Sequence, residues 1–316
     1  MNALVTGVAG FIGSTLAERL LDHGATVTGI DCFTDYYSRS IKEHNLRNLR
    51  EHPAFTFIES SIQAADLGRL LDGISHVFHL AAQAGVRKSW GRDFEVYTVN
   101  NVEATQVLLE ASAARPLERF VYASSSSVYG DLVPIPMRED AVPRPVSPYG
   151  VTKLAAEQLA YLYHVNFGVP TVSLRYFTVY GPRQRPDMGF HRFFRAALRA
   201  EPIVVYGDGE QTRDFTFVED AVSATIVAGS RGVPGAVYNI GGGSRVSVNR
   251  VLDKVAGLAG RELDLRREPP QKGDMRDTFA DTTQARADLG FVPSVALDKG
   301  LEAEYAWLVS RPELLA

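Results

Sequence analysis

The chain has 316 residues, 45% hydrophobic and 22% charged, an ordinary globular composition that excludes disorder and a very small scaffold and leaves room for two units. Lysine and arginine number 33 against 37 aspartates and glutamates, a net charge of −4, so the basic footprint of nucleic-acid or anionic-membrane partners is missing. The single Cys32 cannot form an intrachain disulfide, no Cys/His cluster has metal-site spacing, no apolar run approaches 18 residues and no basic residue precedes Arg19, which together predict a cytoplasmic protein with no metal, no membrane span and no nucleic-acid partner.

In chain order, Ala3 to Thr6 reads as a strand and Gly13 to Leu21 as a helix, followed by strands at Thr26 to Ile30, Phe55 to Glu59 and His76 to Leu80. Thr105 to Ala114 is helical, Arg119 to Ser124 a strand, Thr152 to Val165 a long helix and Thr171 to Arg175 a strand. That alternation predicts an α/β fold, a doubly wound parallel (Rossmann) sheet covered by helices on both faces. Beyond Arg175 the pattern loosens into Pro- and Arg-rich segments such as Gly181-Pro-Arg-Gln-Arg-Pro186. Val237 to Ile240 then reads as one further strand, closed by Gly241-Gly-Gly243. No repeat and no flexible linker interrupts the chain. The expected organisation is a nucleotide-binding unit over residues 1–175, with a return near 215–242, and a smaller C-terminal substrate-binding unit, mainly 176–316.

The first strand runs into Gly7-Val-Ala-Gly10-Phe-Ile-Gly13 and then a helix. Glycines in that context let the backbone turn tightly and approach a pyrophosphate seated on the free amides of the helix N-terminus. Asp31 ends the second strand, 18 residues after Gly13, where a carboxylate can take both ribose hydroxyls of an adenosine; a turn cap is the plainer role for it. No Arg or Lys follows within seven residues, so a 2′-phosphate would meet repulsion, and NAD is favoured over NADP.

Six lysines and 13 tyrosines in this length give about 0.25 Tyr-x-x-x-Lys pairs by chance. The one pair present, Tyr149 and Lys153, follows Ser147-Pro148 at the head of the long helix, which puts both side chains on one face, a turn apart. A lysine there is expected to favour the phenolate and make Tyr149 a base near neutral pH; a surface ion-dipole pair without chemistry is the alternative. Upstream, Phe120-Val-Tyr-Ala-Ser ends in Ser124-Ser-Ser-Ser127 at the carboxyl edge of the sheet, where open α/β folds hold ligands.

These segments, with His79-Leu-Ala-Ala-Gln83, Asn100-Asn-Val102, Arg175-Tyr-Phe-Thr-Val-Tyr-Gly-Pro182 and Arg213-Asp-Phe-Thr-Phe-Val-Glu-Asp220, resemble the extended short-chain dehydrogenase/reductases, in their NAD-dependent nucleotide-sugar epimerase and dehydratase branch, over nearly the whole chain. The resemblance implies Tyr149 as base, Lys153 on the nicotinamide ribose and Ser125 hydrogen-bonded to the sugar hydroxyl. It implies an NAD site made by Gly7, Gly10, Phe11, Ile12, Gly13, Asp31, Leu80, Ala81, Ala82, Asn101, Tyr149 and Lys153. Asn101, with Asn100 as its rival, would fix the active-site helix. It also implies a homodimer paired through the helices near 103–114 and 152–165. One departure is Glu59-Ser-Ser-Ile62, where the family usually has Gly-Asp-Ile, so the carboxylate expected at Ser61 to read the adenine is missing.

Dehydratases of the branch carry an Asp-Glu pair just after the catalytic Ser/Thr, and UDP-glucuronate decarboxylases a Glu at the second position; here Ser126 and Ser127 stand there. Epimerisation is what remains. Phe33-Thr-Asp-Tyr-Tyr37 and Arg185-Pro-Asp-Met188 are similar to UDP-glucuronate 4-epimerases, while Arg183-Gln184 departs from the more typical Trp-Gly. The expected reaction is UDP-glucuronate to UDP-galacturonate through a 4-keto sugar. Ser126, Ser127 and Thr178, with Arg185, would hold the carboxylate, and Arg213 and Arg276, with Arg87 and Arg192, the diphosphate. UDP-glucose/UDP-galactose epimerisation, and an NAD-binding sensor without turnover, are the alternatives.

Overall fold

The computed structural model describes residues 1–315. Its strands are β1 (Asn2–Thr6), β2 (Thr26–Asp31), β3 (Phe55–Glu59), β4 (His76–His79), β5 (Arg119–Ser125), β6 (Thr171–Tyr176), β7 (Val179–Tyr180), β8 (Ile203–Tyr206), β9 (Thr212–Asp214), β10 (Thr216–Phe217), β11 (Val237–Ile240), β12 (Arg245–Ser247) and β13 (Leu265–Glu268). The helices are α1 (Phe11–Asp22), α2 (Arg39–Glu51), α3 (Leu67–Leu70), α4 (Phe94–Tyr97), α5 (Ala104–Ala113), α6 (Pro148–Phe167), α7 (Gly189–Arg199), α8 (Val218–Arg231), α9 (Val248–Ala259), α10 (Thr283–Leu289) and α11 (Leu297–Val309). None of the helices among the described residues is long and apolar enough to cross a membrane.

Seven parallel strands form the central sheet in the order β11-β6-β5-β4-β1-β2-β3, the doubly wound arrangement expected. Successive side chains point to opposite faces, so Ala3 and Val5 pack with Leu16, Phe78 and Leu174, while Leu4 packs on the other side with Val77, Leu108, Phe120 and Ala160. Burial of both faces explains why the strands read as nearly continuous apolar runs. The winding reverses between β1 and β4, in register Thr6 against His79, and such a reversal opens a crevice at the carboxyl ends of the strands. β5 and β6 bring Ser125 and Tyr176 to the same edge.

Two of the differences from the expected boundaries have a plain local cause. β4 stops at His79 because the amides of Leu80 and Ala81 donate to Thr6 Oγ1 (3.1 and 3.0 Å) instead of to the ladder. The long helix starts at Pro148, not Thr152, because Ser147 caps it, its Oγ accepting from the Gly150 amide at 3.1 Å, with proline in the first turn. That start puts Tyr149 in the first turn, at the sheet edge. Beyond β6 the chain adds three two-stranded pairs, β10-β7, β12-β9 and β13-β8, and a small core of Ala196, Ile203, Val205 and Leu252 beneath α7 and α9.

Candidate active site

Two adjoining cavities open at the carboxyl edge. The first is built on the turn after β1. Gly7 has φ +69°, and a Cβ there would lie 2.9 Å from the Ala81 backbone; a Cβ at Gly13 would lie 2.2 Å from the Gly7 carbonyl. Both positions require glycine for packing. Gly10 differs, since a Cβ there would meet only the Gly7 carbonyl, at 3.1 Å, and would project into the space the turn encloses. α1 then begins with no side-chain cap and no acid in its first turn, so its leading amides face the cavity as anion donors. Asp31 lines the same cavity, and its carboxylate also accepts from the amides of Ala9 (3.1 Å) and Phe33 (2.9 Å). Cap and cavity wall are therefore one role.

Gly7, Gly10, Phe11, Ile12, Gly13, Asp31, Leu80, Ala81, Ala82, Tyr149 and Lys153 all line this cavity. Asn101 does not. It is buried in a π-helical turn, Thr98–Glu103, where its Oδ1 accepts from the Gln83 amide (2.7 Å) and its Nδ2 donates to the Gln83 carbonyl and Thr152 Oγ1 (both 3.0 Å). It ties the loop after β4 to α6, and Asn100 faces the cavity in its place. Lys42 also reaches the cavity, from α2. Its Nζ donates to the Thr34 carbonyl (2.9 Å) and lies over the Tyr37 ring; burial lowers its pKa, and Asp31 opposes that. Ser60 and Ser61 line the end where the family carboxylate would stand, with Ser61 Oγ accepting from the Ala64 amide.

Tyr149 sits where the two cavities meet, lining both. Enclosure raises its pKa, against which act the Ser125 hydroxyl and the positive charge of Arg185. Lys153 is not among the groups that shift it. Lys153 is buried, its ammonium 4.8 Å from the Tyr122 ring centre, and desolvation drives its own pKa down to about 7, opposed by Glu157. Glu157 itself is held by Arg175 at 2.6 and 3.1 Å and accepts from Ser124 Oγ at 2.6 Å. Ser125, the last residue of β5, accepts from the Ser127 amide and so opens the short turn that carries Ser126 and Ser127.

Ser126, Ser127, Thr178, Arg185, Arg87, Arg192 and Arg213 line the second cavity. Arg213 donates to the carbonyls of Thr212 (2.8 Å) and Arg276 (3.1 Å) and has no carboxylate in hydrogen-bond contact among the described residues; burial lowers its pKa. A half-buried guanidinium with no carboxylate of its own is suited to an anion. Arg87 pairs with Asp274 at 2.6 Å and stacks on Tyr206. Arg276 is a correction: its side chain is exposed, pairs with Asp208 at 2.8 and 3.0 Å, and lines neither cavity. Only its backbone carbonyl serves the site, by accepting from Arg213. Arg185 lines both cavities and is paired with Asp187, which also accepts from the Tyr36 hydroxyl at 3.2 Å.

A glycine turn feeding an uncapped helix, an acid at the end of β2, and a serine, tyrosine and lysine at the sheet edge define a short-chain dehydrogenase/reductase, and the cradle fits a dinucleotide. The chain belongs to the NAD dependent epimerase/dehydratase family, whose family model matches residues 3–241, and its cofactor is NAD. Among relatives, an uncharacterized UDP-glucose epimerase, YtcB, of Bacillus subtilis is 45% identical over 312 residues, 98% of either chain. A UDP-glucuronate 4-epimerase of Thermodesulfobacterium geofontis is 38% identical over 317 residues, covering 99% of this chain and 97% of its own. Among solved structures, the UDP-glucuronic acid 4-epimerase of Bacillus cereus, crystallised with UDP-glucuronic acid and NAD, superposes with a TM-score of 0.96 at 43% identity, covering 98% of this chain and 99% of that one.

Proposed function

We propose that the protein is a UDP-glucuronate 4-epimerase, converting UDP-glucuronate to UDP-galacturonate. Bound NAD accepts the two electrons released at carbon 4 and returns them to the opposite face. The first helix turn and Asp31 hold the dinucleotide, and Lys153 holds its inner ribose. Tyr149 takes the proton of the 4-hydroxyl, with Ser125 aligning that hydroxyl, and gives it back after the 4-keto sugar has turned about its diphosphate bond. Arg213, helped by Arg87 and Arg192, holds the diphosphate through that rotation. Ser126, Ser127 and Thr178 donate hydrogen bonds to the sugar carboxylate, with Arg185 supplying positive charge.

The observation that carries the reading is the make-up of the junction. Hydroxyls follow Ser125 where an elimination or decarboxylation would need a second acid, and the nearby Asp187 is already paired with Arg185. Nothing there removes water or assists loss of carbon dioxide, and oxidation followed by re-reduction is the chemistry left. The name of the Bacillus subtilis relative favours a second reading, UDP-glucose/UDP-galactose epimerisation in the same cavity. Incubation with UDP-glucuronate, UDP-glucose and UDP-N-acetylglucosamine in parallel, products read by NMR, decides between them; preference for UDP-glucose would overturn the first.

The division into a cofactor-binding unit over 1–175 with a return near 215–242, and a sugar-nucleotide-binding remainder, belongs to the same proposal, as does a cytoplasmic location, which the lone Cys32 supports. So does a homodimer. α6 leaves Tyr161, Leu162 and Val165 exposed on one face, an apolar stripe suited to a second copy, and sedimentation of the purified protein tests it.

A further inference from the structure

The loop between β7 and α7 carries a backbone feature that the proposed chemistry does not use. Arg183 has φ +71°, a left-handed conformation that a residue with a Cβ adopts only when its surroundings over-determine it. The surroundings are on the cofactor helix. Arg183 Nη2 donates to both carboxylate oxygens of Glu18 (2.8 and 2.9 Å), and Nη1 reaches Ser14 Oγ at 3.3 Å. The arginine side chain is only 18% exposed and lines neither cavity. Ser14 is buried, and its amide bonds to the Gly10 carbonyl, directly behind the dinucleotide cradle.

The chain downstream is rigidly referenced to this residue. Gln184 is buried, its amide donating to the Gly181 carbonyl, its Oε1 accepting from the His191 amide and its carbonyl bonded to His191 Nδ1. Arg185 follows at the junction of the cavities, and its carbonyl accepts from the Met188 amide. Releasing Arg183 to negative φ re-aims everything after it, Arg185 first. We propose that Arg183 and Glu18 form a positioning pair that docks the 183–188 substrate loop on the first cofactor helix and thereby sets the placement of Arg185 against the substrate.

The inference rests on the glucuronate reading in one respect, its readout. In the 4-keto acid a misheld carboxylate aligns with the carbonyl. The carbon 5 to carbon 6 bond then breaks, its electron pair moves into the 4-keto group as an enolate, a proton from water adds at carbon 5, and carbon dioxide leaves. Fidelity is the fraction of turnover that escapes this loss.

The test uses NAD-loaded enzyme in which Arg183→Ala, Glu18→Ala, the double variant, and the milder Glu18→Gln and Arg183→Lys are compared for KM, kcat and carbon dioxide released. Each alanine variant is expected to raise KM for UDP-glucuronate and the carbon dioxide fraction about five- to tenfold, and the double to be no worse than either single, the non-additivity of groups acting as a unit. NAD content stays at the wild-type level, and Arg183→Lys recovers part of the loss. Unchanged KM and carbon dioxide in the single variants, or losses that multiply in the double, overturn the pair. If wild type epimerises UDP-glucose alone, the glucuronate reading fails by itself, and KM for UDP-glucose across the same variants decides the pair by the same non-additivity.

Discussion

Replacing Lys153 by methionine is expected to stabilise the cofactor-stripped protein while destroying its activity. The lysine is buried, and loss of water takes its pKa from 10.5 to about 7. At about 1.4 kcal/mol per pH unit of displacement, holding the ammonium inside costs the empty fold on the order of 5 kcal/mol at and below neutral pH. Methionine fills the same stem volume without a charge. The sign follows from the protons. Below pH 7 folded and unfolded chains both carry the lysine proton, and the cost is borne in full. Between pH 7 and 10.5 the unfolded chain holds the extra proton, so wild-type stability rises with pH in that window. The advantage of Lys153→Met is therefore largest near pH 6 and shrinks by about 1.4 kcal/mol per pH unit above 7, or roughly 3 kcal/mol by pH 9. Urea unfolding of both stripped proteins at pH 6, 7, 8 and 9 measures the difference, in which all other titrating groups cancel. A difference that stays constant across pH, or a methionine variant that is the less stable at pH 6, would refute the reasoning.

Tyr149→Phe should lower turnover about 10²- to 10⁴-fold while NAD stays bound, since only the proton acceptor is lost; near-normal rates would remove Tyr149 from the role of base. Thr178→Ala should cut UDP-glucuronate turnover roughly tenfold, one charge-assisted hydrogen bond being worth about 1.5 to 3 kcal/mol, and should release more carbon dioxide, with UDP-glucose less affected; equal losses on both sugars count against a carboxylate contact. Gly13→Ala puts a Cβ 2.2 Å from the Gly7 carbonyl, an overlap that should cost about 1 to 3 kcal/mol and empty the protein of NAD, read by thermal unfolding and by the absorbance of released cofactor.

What the sequence determined by itself was everything encoded at short range. The Gly7, Gly10, Gly13 turn, the acid closing β2, the serines ending β5 and the Tyr149-Lys153 pair one helical turn apart are each set by spacing along one or two adjacent elements, and strand-helix alternation carried the doubly wound sheet. What only the tertiary structure decided were pairings across the fold. Arg213 and Arg276 read alike on the chain, yet Asp208, far from Arg276 in sequence, draws that side chain out to solvent while Arg213 stays half-buried without a carboxylate. Asn101 and Asn100 are neighbours, and a π-turn sends one to Gln83 and Thr152 and the other to the cavity. The pKa of Lys153 is set by how much water its surroundings exclude. Arg183 takes its conformation from Glu18, 165 residues away. Charge pairing and desolvation depend on distance in space, which local spacing does not contain, and so the tertiary fold alone settled which of the candidate side chains face the cavities.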